Sequence, residues 1–371
     1  MKKHKYFILF IACLFLLISC SKKEVEWTGT IEEKDGVTII KNPKKPMYDE
    51  GIFLLEEELT IGDKEIEGDY DFETIITIRA DDNGNIYVLD GKAQLVKVFD
   101  KSGKYLRNIG RKGQGPGEYS LPSGLHIISE NEIMVSSITR RLSFFSLSGK
   151  FLRQVNNSPD PFPFPDSSGN YIIRTRDRSD EGKIVTDLKK LNSDLELMYL
   201  IGKLEVASTF GQKKRSAFST LLYFTVLTDD SVVWGINNDY QLTIVDPGGN
   251  LVRKIQKEFE PTTVTEEYKK DYLKRTEDTS RSLGISYEFP EHYPIFRSIS
   301  TDDQGRIIVG IFESDTENNN LFDVFDSEGR YVAKIAMKNN PVYWKKGKLY
   351  SIEEDDEGFQ TVKRYKVTWN Y

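Results

Sequence analysis

The sequence predicts an all-β fold: a six-bladed β-propeller with four-stranded antiparallel blades. A tight polar turn followed by a short apolar strand occurs six times, at Asp82-Asn83-Gly84-Asn85, Glu130-Asn131-Glu132, Ser168-Gly169-Asn170, Asp229-Asp230-Ser231, Asp303-Gln304-Gly305 and Lys345-Lys346-Gly347. The strands that follow begin at Ile86, Ile133, Tyr171, Val232, Ile307 and Leu349. A repeat of roughly 40–50 residues built from short strands is how propeller blades read in sequence. A second, outer hairpin recurs at a matching offset, and the last unit is one strand short.

The first blade can be laid out in full. Residues 77–80 form an inner strand, and Asp82-Asn83-Gly84 turns the chain into residues 86–89. Residues 95–99 alternate apolar and polar, as a half-exposed strand does. Asp100-Lys101-Ser102-Gly103 makes the next hairpin, with Gly103 suited to a left-handed backbone, and residues 105–109 form the fourth strand. The outer hairpin returns at 146–152, 246–251 and 326–331, and more weakly at 191–195. The chain stops after residues 362–369, without a fourth strand for the last blade. Leu54 to Gly62 match the fourth-strand ending Asn108-Ile109-Gly110, so residues 51–62 are expected to close the ring and remove both open edges.

Residues 1–19 read as a targeting segment. Lys2, Lys3 and Lys5 form a basic start, and the apolar stretch over 6–18 is too short for a spanning helix. It ends in Leu17-Ile18-Ser19-Cys20, which resembles the lipobox of bacterial lipoproteins. That resemblance implies cleavage before Cys20 and lipid on the new N-terminal cysteine; a plain secretory signal with a soluble product is the alternative. Of 2 cysteines, Cys13 leaves with the signal, so no disulfide is available to the mature chain. Residues 20–50 are expected to be anchor and tether, and residues 51–371 the propeller. No later apolar run reaches about 18 residues, so the membrane is a partner through lipid on Cys20 rather than through a span. Lys22 and Lys23 give no acidic start that would mark export to the cell surface. The expected location is the bacterial cell envelope, on the periplasmic face of the outer membrane.

Charge argues against nucleic acid. Loss of the three signal lysines takes the formal charge from -7 to -10, and no stripe of Lys and Arg supplies a phosphate-binding surface. A hydrophobic content of 38%, with 12% aromatic, is ample for a large core.

Arg111-Lys112-Gly113-Gln114-Gly115-Pro116-Gly117-Glu118-Tyr119 with Pro122, together with Asn83 to Asp90 and Val98-Phe99-Asp100, resembles NHL-type repeats. More closely, the chain resembles the six-bladed β-propeller lipoproteins of uncharacterised function of gram-negative bacteria. The resemblance spans most of residues 51–371 and is sharp in blades one and two. Blades three to five depart from it, and the glycine-rich link is not repeated there.

Few residues suggest chemistry. The link Gly113 to Gly117 invites a phosphate-loop reading but lacks the following Lys-Ser/Thr; an inter-blade connection explains its glycines. Asp81, Asp82, Asn83 and Asn85 could suggest a calcium loop, yet the bidentate glutamate is missing and Asp-rich turns account for the same letters; Asp302-Asp303 reads the same way. With His4 gone, two of the 3 histidines remain, too few for a zinc site without cysteine. His126 falls on an inner strand and could face the channel; His292 falls on an insertion at about 259–293. There residues 265–275 read as an amphipathic helix, with Tyr268 and Tyr272 on one face and Thr263 or Thr265 as its cap. In Pro159-Asp160-Pro161-Phe162-Pro163-Phe164-Pro165, alternating prolines could present Phe162 and Phe164 to a ligand.

These observations point to a membrane-anchored binding or scaffolding propeller recognising a protein, peptide or glycan. Phe162, Phe164, Tyr268, Tyr272 and His126 are its candidate ligand-binding residues. No catalytic residue and no cofactor are assigned. The alternative is a metal-dependent hydrolase resembling propeller lactonases of the gluconolactonase type, which would hold calcium on acidic and amide side chains in the channel. A tight cluster of Asp, Glu and Asn on the inner strands would favour it.

Overall fold

The computed structural model describes residues 26–48, 51–62, 72–129, 131–209, 211–315, 319–339 and 341–371. Its turns explain the repeat atom by atom. One carboxylate oxygen of Asp81 accepts the backbone amides of Asn83 (2.9 Å) and Asn85 (2.8 Å), and the other accepts the Asn85 side chain and the Tyr87 hydroxyl. Asp166 holds the amides of Ser168 and Asn170 in the same way, and Asp302 those of Gln304 and Arg306. Asp100 and Asp326 repeat the arrangement in outer hairpins. A carboxylate that takes the amides two and four residues ahead satisfies donors that a reversing chain would leave unpaired. The aspartates that spell the repeat are therefore turn chemistry.

Each turn joins antiparallel strands, and these assemble into blades. Blade one is Ile75–Ala80, Ile86–Asp90, Leu95–Phe99 and Tyr105–Ile109, from the channel outward. Blade two is Pro122–Ser129, Glu132–Ser137, Leu142–Ser146 and Phe151–Val155. Blade three is Phe164–Pro165, Tyr171–Arg178, Ile184–Leu191 and Leu197–Val206. Blade four is Leu222–Val226, Val232–Ile236, Gln241–Val245 and Leu251–Lys257. Blade five is Phe296–Thr301, Ile307–Ser314, Asn320–Phe325 and Tyr331–Met337. Blade six takes Tyr343–Lys345, Lys348–Glu354 and Gln360–Trp369 from the C-terminal end. Its fourth strand is Phe53–Ile61, antiparallel to Gln360–Trp369 from Phe53 opposite Trp369 to Ile61 opposite Val362.

The core is divided among the blade interfaces. Buried clusters fill the gaps between blades one and two, two and three, three and four, four and five, five and six, and six and one. Alternate side chains of each strand point to opposite neighbours, so one strand feeds two wedges: Val88 packs toward blade six and Leu89 toward blade two. Full burial of such a side chain is worth about 1.5–3 kcal/mol.

The stretch expected to be a tether contains structure. Thr30–Lys34 and Val37–Asn42 form a hairpin whose second strand runs parallel to Leu251–Lys257, extending blade four to six strands. Asn42 fastens it: its side-chain amide donates to the carbonyls of Gly329 (2.9 Å) and Gln256 (3.1 Å), and its side-chain oxygen accepts from the Tyr331 amide (2.7 Å) and the Trp27 indole (3.0 Å). Met47 and Tyr48 then donate backbone hydrogen bonds to Tyr331 and Val332 on the outer strand of blade five. The N-terminal segment is thus a belt across blades four, five and six, and it covers strand edges that would otherwise lie open.

Candidate binding face and channel

Antiparallel connectivity gives the ring two unlike faces. Turns from first to second strand and from third to fourth lie on one face, and the turns led by Asp81, Asp100, Asp166, Asp302 and Asp326 are there. Turns from second to third strand, and the connections between blades, lie on the other. On this connection face Leu121, Ile138, Phe162, Leu221, Phe259 and Phe359 are between 39% and 56% exposed. At the turn face Leu197 and Leu251, the first residues of the outer strands of blades three and four, are exposed, as is Tyr371 at the chain end. Leu121 has a φ of 49°, a left-handed conformation that costs a branched side chain energy, and the Ile138 amide donates to its carbonyl (3.0 Å). The backbone therefore holds two exposed aliphatic side chains side by side.

The insertion occupies the same face. Helix α1 (Glu266–Arg275) begins at Thr265, whose hydroxyl accepts the Tyr268 amide, and a second helix, α2 (Glu277–Leu283), follows directly. Sequence periodicity indicated the first helix and its cap but not the second. Tyr268 stacks on Phe218 (5.6 Å) and meets Tyr293 edge-on (5.1 Å), while Tyr272 packs on Tyr287 and Phe289. Both tyrosines are half-buried; Tyr268 fastens α1 to the connection before blade four, and Tyr272 fastens it to the end of the insertion itself. A parallel ribbon joins Lys214–Ser216 to Ser286–Glu288, so the two longest connections are tied together. Beneath them lies a cavity of about 320 Å³ lined by Tyr240, Lys257, Phe259, Tyr293, Phe312 and Asp323, among others.

The floor of that cavity is a buried ionic cluster. Asp323 accepts hydrogen bonds from the hydroxyls of Tyr240 and Tyr331, and the Lys257 ammonium lies 3.3 Å from it. The ammonium also sits 4.8 and 4.7 Å from the centres of those two phenol rings. Burial first, and then the Asp323 charge, push both phenols well above their ordinary range, so they remain donors. Tyr240 and Lys257 belong to blade four and Asp323 and Tyr331 to blade five, so the cluster bolts the two together.

Inner strands bring a different set into the channel. Arg79 (blade one) lies 5.1 Å from the Tyr343 ring (blade six), and His126 (blade two) packs edge-on against Phe164 (blade three) at 4.9 Å. Burial, and then the Arg79 charge, hold the His126 imidazole well below its usual range. Two of the residues singled out in sequence, His126 and Phe164, therefore meet. Phe162 does not join them: its side chain turns outward, while Asp160 binds the amides of Phe162 (2.8 Å) and Arg174 (2.6 Å) and pins the proline run as a connection. Arg79 was not singled out; one arginine inside an otherwise ordinary strand pattern carries no signal of its surroundings.

The remaining motifs resolve into local structure. In the glycine-rich link, the amides of Gln114 (3.1 Å) and Gly115 (3.0 Å) donate to the Glu118 carboxylate, which also accepts from Arg111 (2.9 Å). The chain's own carboxylate fills the place a phosphate would take. Gly110, at φ 68°, is required because an added Cβ would stand 2.2 Å from the buried Tyr119 ring. His292 lies 3.8 Å from Glu291 at the rim of the insertion. Among the described residues no three His, Cys, Asp or Glu side chains are grouped to hold a metal ion, and no helix is long and apolar enough to cross a membrane. Cys20 lies outside the described residues.

The structure is similar to that of a Bacteroides fragilis protein described as exported, with a TM-score of 0.52 at 15% identity, covering 90% of this chain and 100% of that one. It is also similar to a member of the DUF4221 family from Bacteroides vulgatus, with a TM-score of 0.50 at 14% identity, covering 86% of this chain and 99% of that one. At these identities the likeness concerns the fold. No curated protein sequence matches. A family model described as a 6-bladed beta-propeller matches residues 65–277, more than half of the chain. Repeat, strand order and family model agree, and the chain belongs to the DUF5128 family of six-bladed β-propellers.

Proposed function

We propose that this propeller is a binding module of the bacterial cell envelope, anchored by lipid on Cys20, that takes a protein or peptide on its connection face. One observation carries the reading: six large apolar side chains on the turns and connections of that face are exposed, with Leu121 and Ile138 held side by side by a backbone hydrogen bond. Leu121, Ile138 and Leu221 are aliphatic, which suits the side chains of a polypeptide better than the rings of a glycan. The belt shortens the tether. Trp27 is already bonded to Asn42, so seven residue steps separate it from Cys20, a reach of at most roughly 25 Å. A lipid there would hold the rim of blade four close to the membrane surface and leave the connection face open sideways.

The test uses the full chain in its own envelope. A photo-crosslinking residue is placed at Phe162 or Ile138, and in controls at Ser102 or Glu328 on the turn face. The expected result is one shared adduct from the first pair, weakened by Leu121→Asp, and none from the controls. Equal labelling from both faces, or no adduct from the connection face of a folded protein, removes the reading.

A further inference from the structure

We infer that the channel holds a binding site for a monovalent carboxylate, built on the guanidinium of Arg79. The argument starts from how buried cations are treated elsewhere in this molecule. Lys190 meets Asp166 at 2.9 Å, Lys257 meets Asp323 at 3.3 Å, and Arg306 meets Asp302 at 2.7 Å. A charge removed from water is costly unless paired, and these three are paired. Arg79 is half-buried and is not, as Arg297 is not, whose guanidinium meets the Ile311 carbonyl and the Asn320 side-chain oxygen. Among the described residues the partners of Arg79 are the Thr77 hydroxyl (2.8 Å), the Ile78 carbonyl (2.7 Å) and the Tyr343 ring, all uncharged.

Both of those hydrogen bonds leave from Nη1. They fix the plane of the guanidinium and leave the edge formed by Nε and Nη2 without a partner among the described residues. That edge matches the two oxygens of a carboxylate, and a fork already fixed in place loses little freedom on binding. Arg79 as a whole keeps part of its surface accessible.

Charge matching selects the class of anion. His126 stays neutral near pH 7 because burial and the nearby Arg79 charge depress its pKa. Lys345, whose charge also reaches Tyr343, is paired with Asp82 at 2.9 Å, which leaves Arg79 as the cation at the site without a carboxylate; a monocarboxylate balances it and a phosphate dianion overfills it. Tyr343 and the His126–Phe164 pair provide ring surface beside the charge, suited to a short organic acid or the C-terminal carboxylate of a peptide. The site does not depend on the connection face described above, since Arg79 lies near the turn-face end of its strand.

The experiment is an acetate titration of the full chain in detergent, followed through selectively ¹³C-labelled histidine. With 3 histidines in the sequence, the His126 resonance can be assigned by substitution. Acetate is expected to shift it saturably, with a Kd on the order of 1–10 mM. Inorganic phosphate should bind at least about tenfold more weakly, and Arg79→Met should abolish the acetate shift. Arg79→Lys keeps the charge and loses the fork, so it should weaken acetate binding about tenfold. If Arg79→Met does not fold, the wild-type titration and Arg79→Lys decide. No saturable shift of His126 by acetate, an unchanged affinity in either variant, or phosphate binding as tightly as acetate overturns the inference.

Discussion

Lys257→Met would leave Asp323 as an unbalanced charge between blades four and five. The Lys257 side chain is 5% exposed and that of Asp323 1%, so water cannot replace the lost partner. At their separation of 3.3 Å the Coulomb attraction is about 5 kcal/mol for an effective dielectric of 20. Asp323 keeps its two tyrosine donors, so the net cost should fall in the range measured for breaking buried pairs, about 3–5 kcal/mol. For a chain of 371 residues this lowers the melting temperature by about 4–6 °C. Asp323→Asn removes the other charge and should cost a similar amount by stranding the ammonium. The double variant should cost clearly less than the two single effects added, because it strands neither. Scanning calorimetry of the four proteins gives the cycle. Strict additivity, or single variants that melt within 1 °C of the wild type, would refute the idea that this pair bolts the blades together.

Ile61 is 4% exposed and ends the closing strand in the wedge between blades six and one, so Ile61→Ala should cost about 2–5 kcal/mol, read from the denaturant midpoint. Deleting residues 51–62 should lower the melting temperature far more, and an unchanged melting curve would show that the ring closes without them. Asp166 gives a pH signature: burial opposes its charge, but hydrogen bonds from Lys190 and Asn170 prevail and hold the carboxyl below its usual range. Its contribution is therefore complete above the unfolded-state carboxyl pKa and is lost as pH falls through the lower folded value. Lys190 is raised, with burial opposing and Asp166 favouring its charge, so its share is complete below the ordinary lysine value and lost at still higher pH. Asp166→Asn should flatten both limbs of the stability–pH profile; a profile that keeps the wild-type acid limb would argue against this assignment.

Much of the architecture was legible because it is local. An aspartate that binds amides two and four residues ahead specifies a turn within five residues, and strand alternation needs only immediate neighbours. The missing fourth strand of the last blade could be read as an incomplete repeat, and Phe53–Ile61 does pair with the C-terminal strand. The Thr265 cap and the helix after it were legible for the same reason.

Legibility stops where partners are distant in sequence. The hairpin at Thr30–Asn42 has the pattern of any short hairpin; Asn42 finds its carbonyls 214 and 287 residues away, and only ring closure brings them there. The proline run held Phe162 and Phe164 as a pair on the page, yet the inner strand takes one into the channel while the connection turns the other outward. Tyr268 and Tyr272 share a helical face as expected, but their partners include Phe218 from another connection. Arg79 and Tyr343 meet although they belong to the first and last blades. Hydrogen bonding and periodicity within a few residues determined the turns, the strands and the number of blades. Which face exposes apolar surface, and which charge is left unbalanced in the channel, was decided when the six blades closed into a ring and brought inner strands from both ends of the chain together.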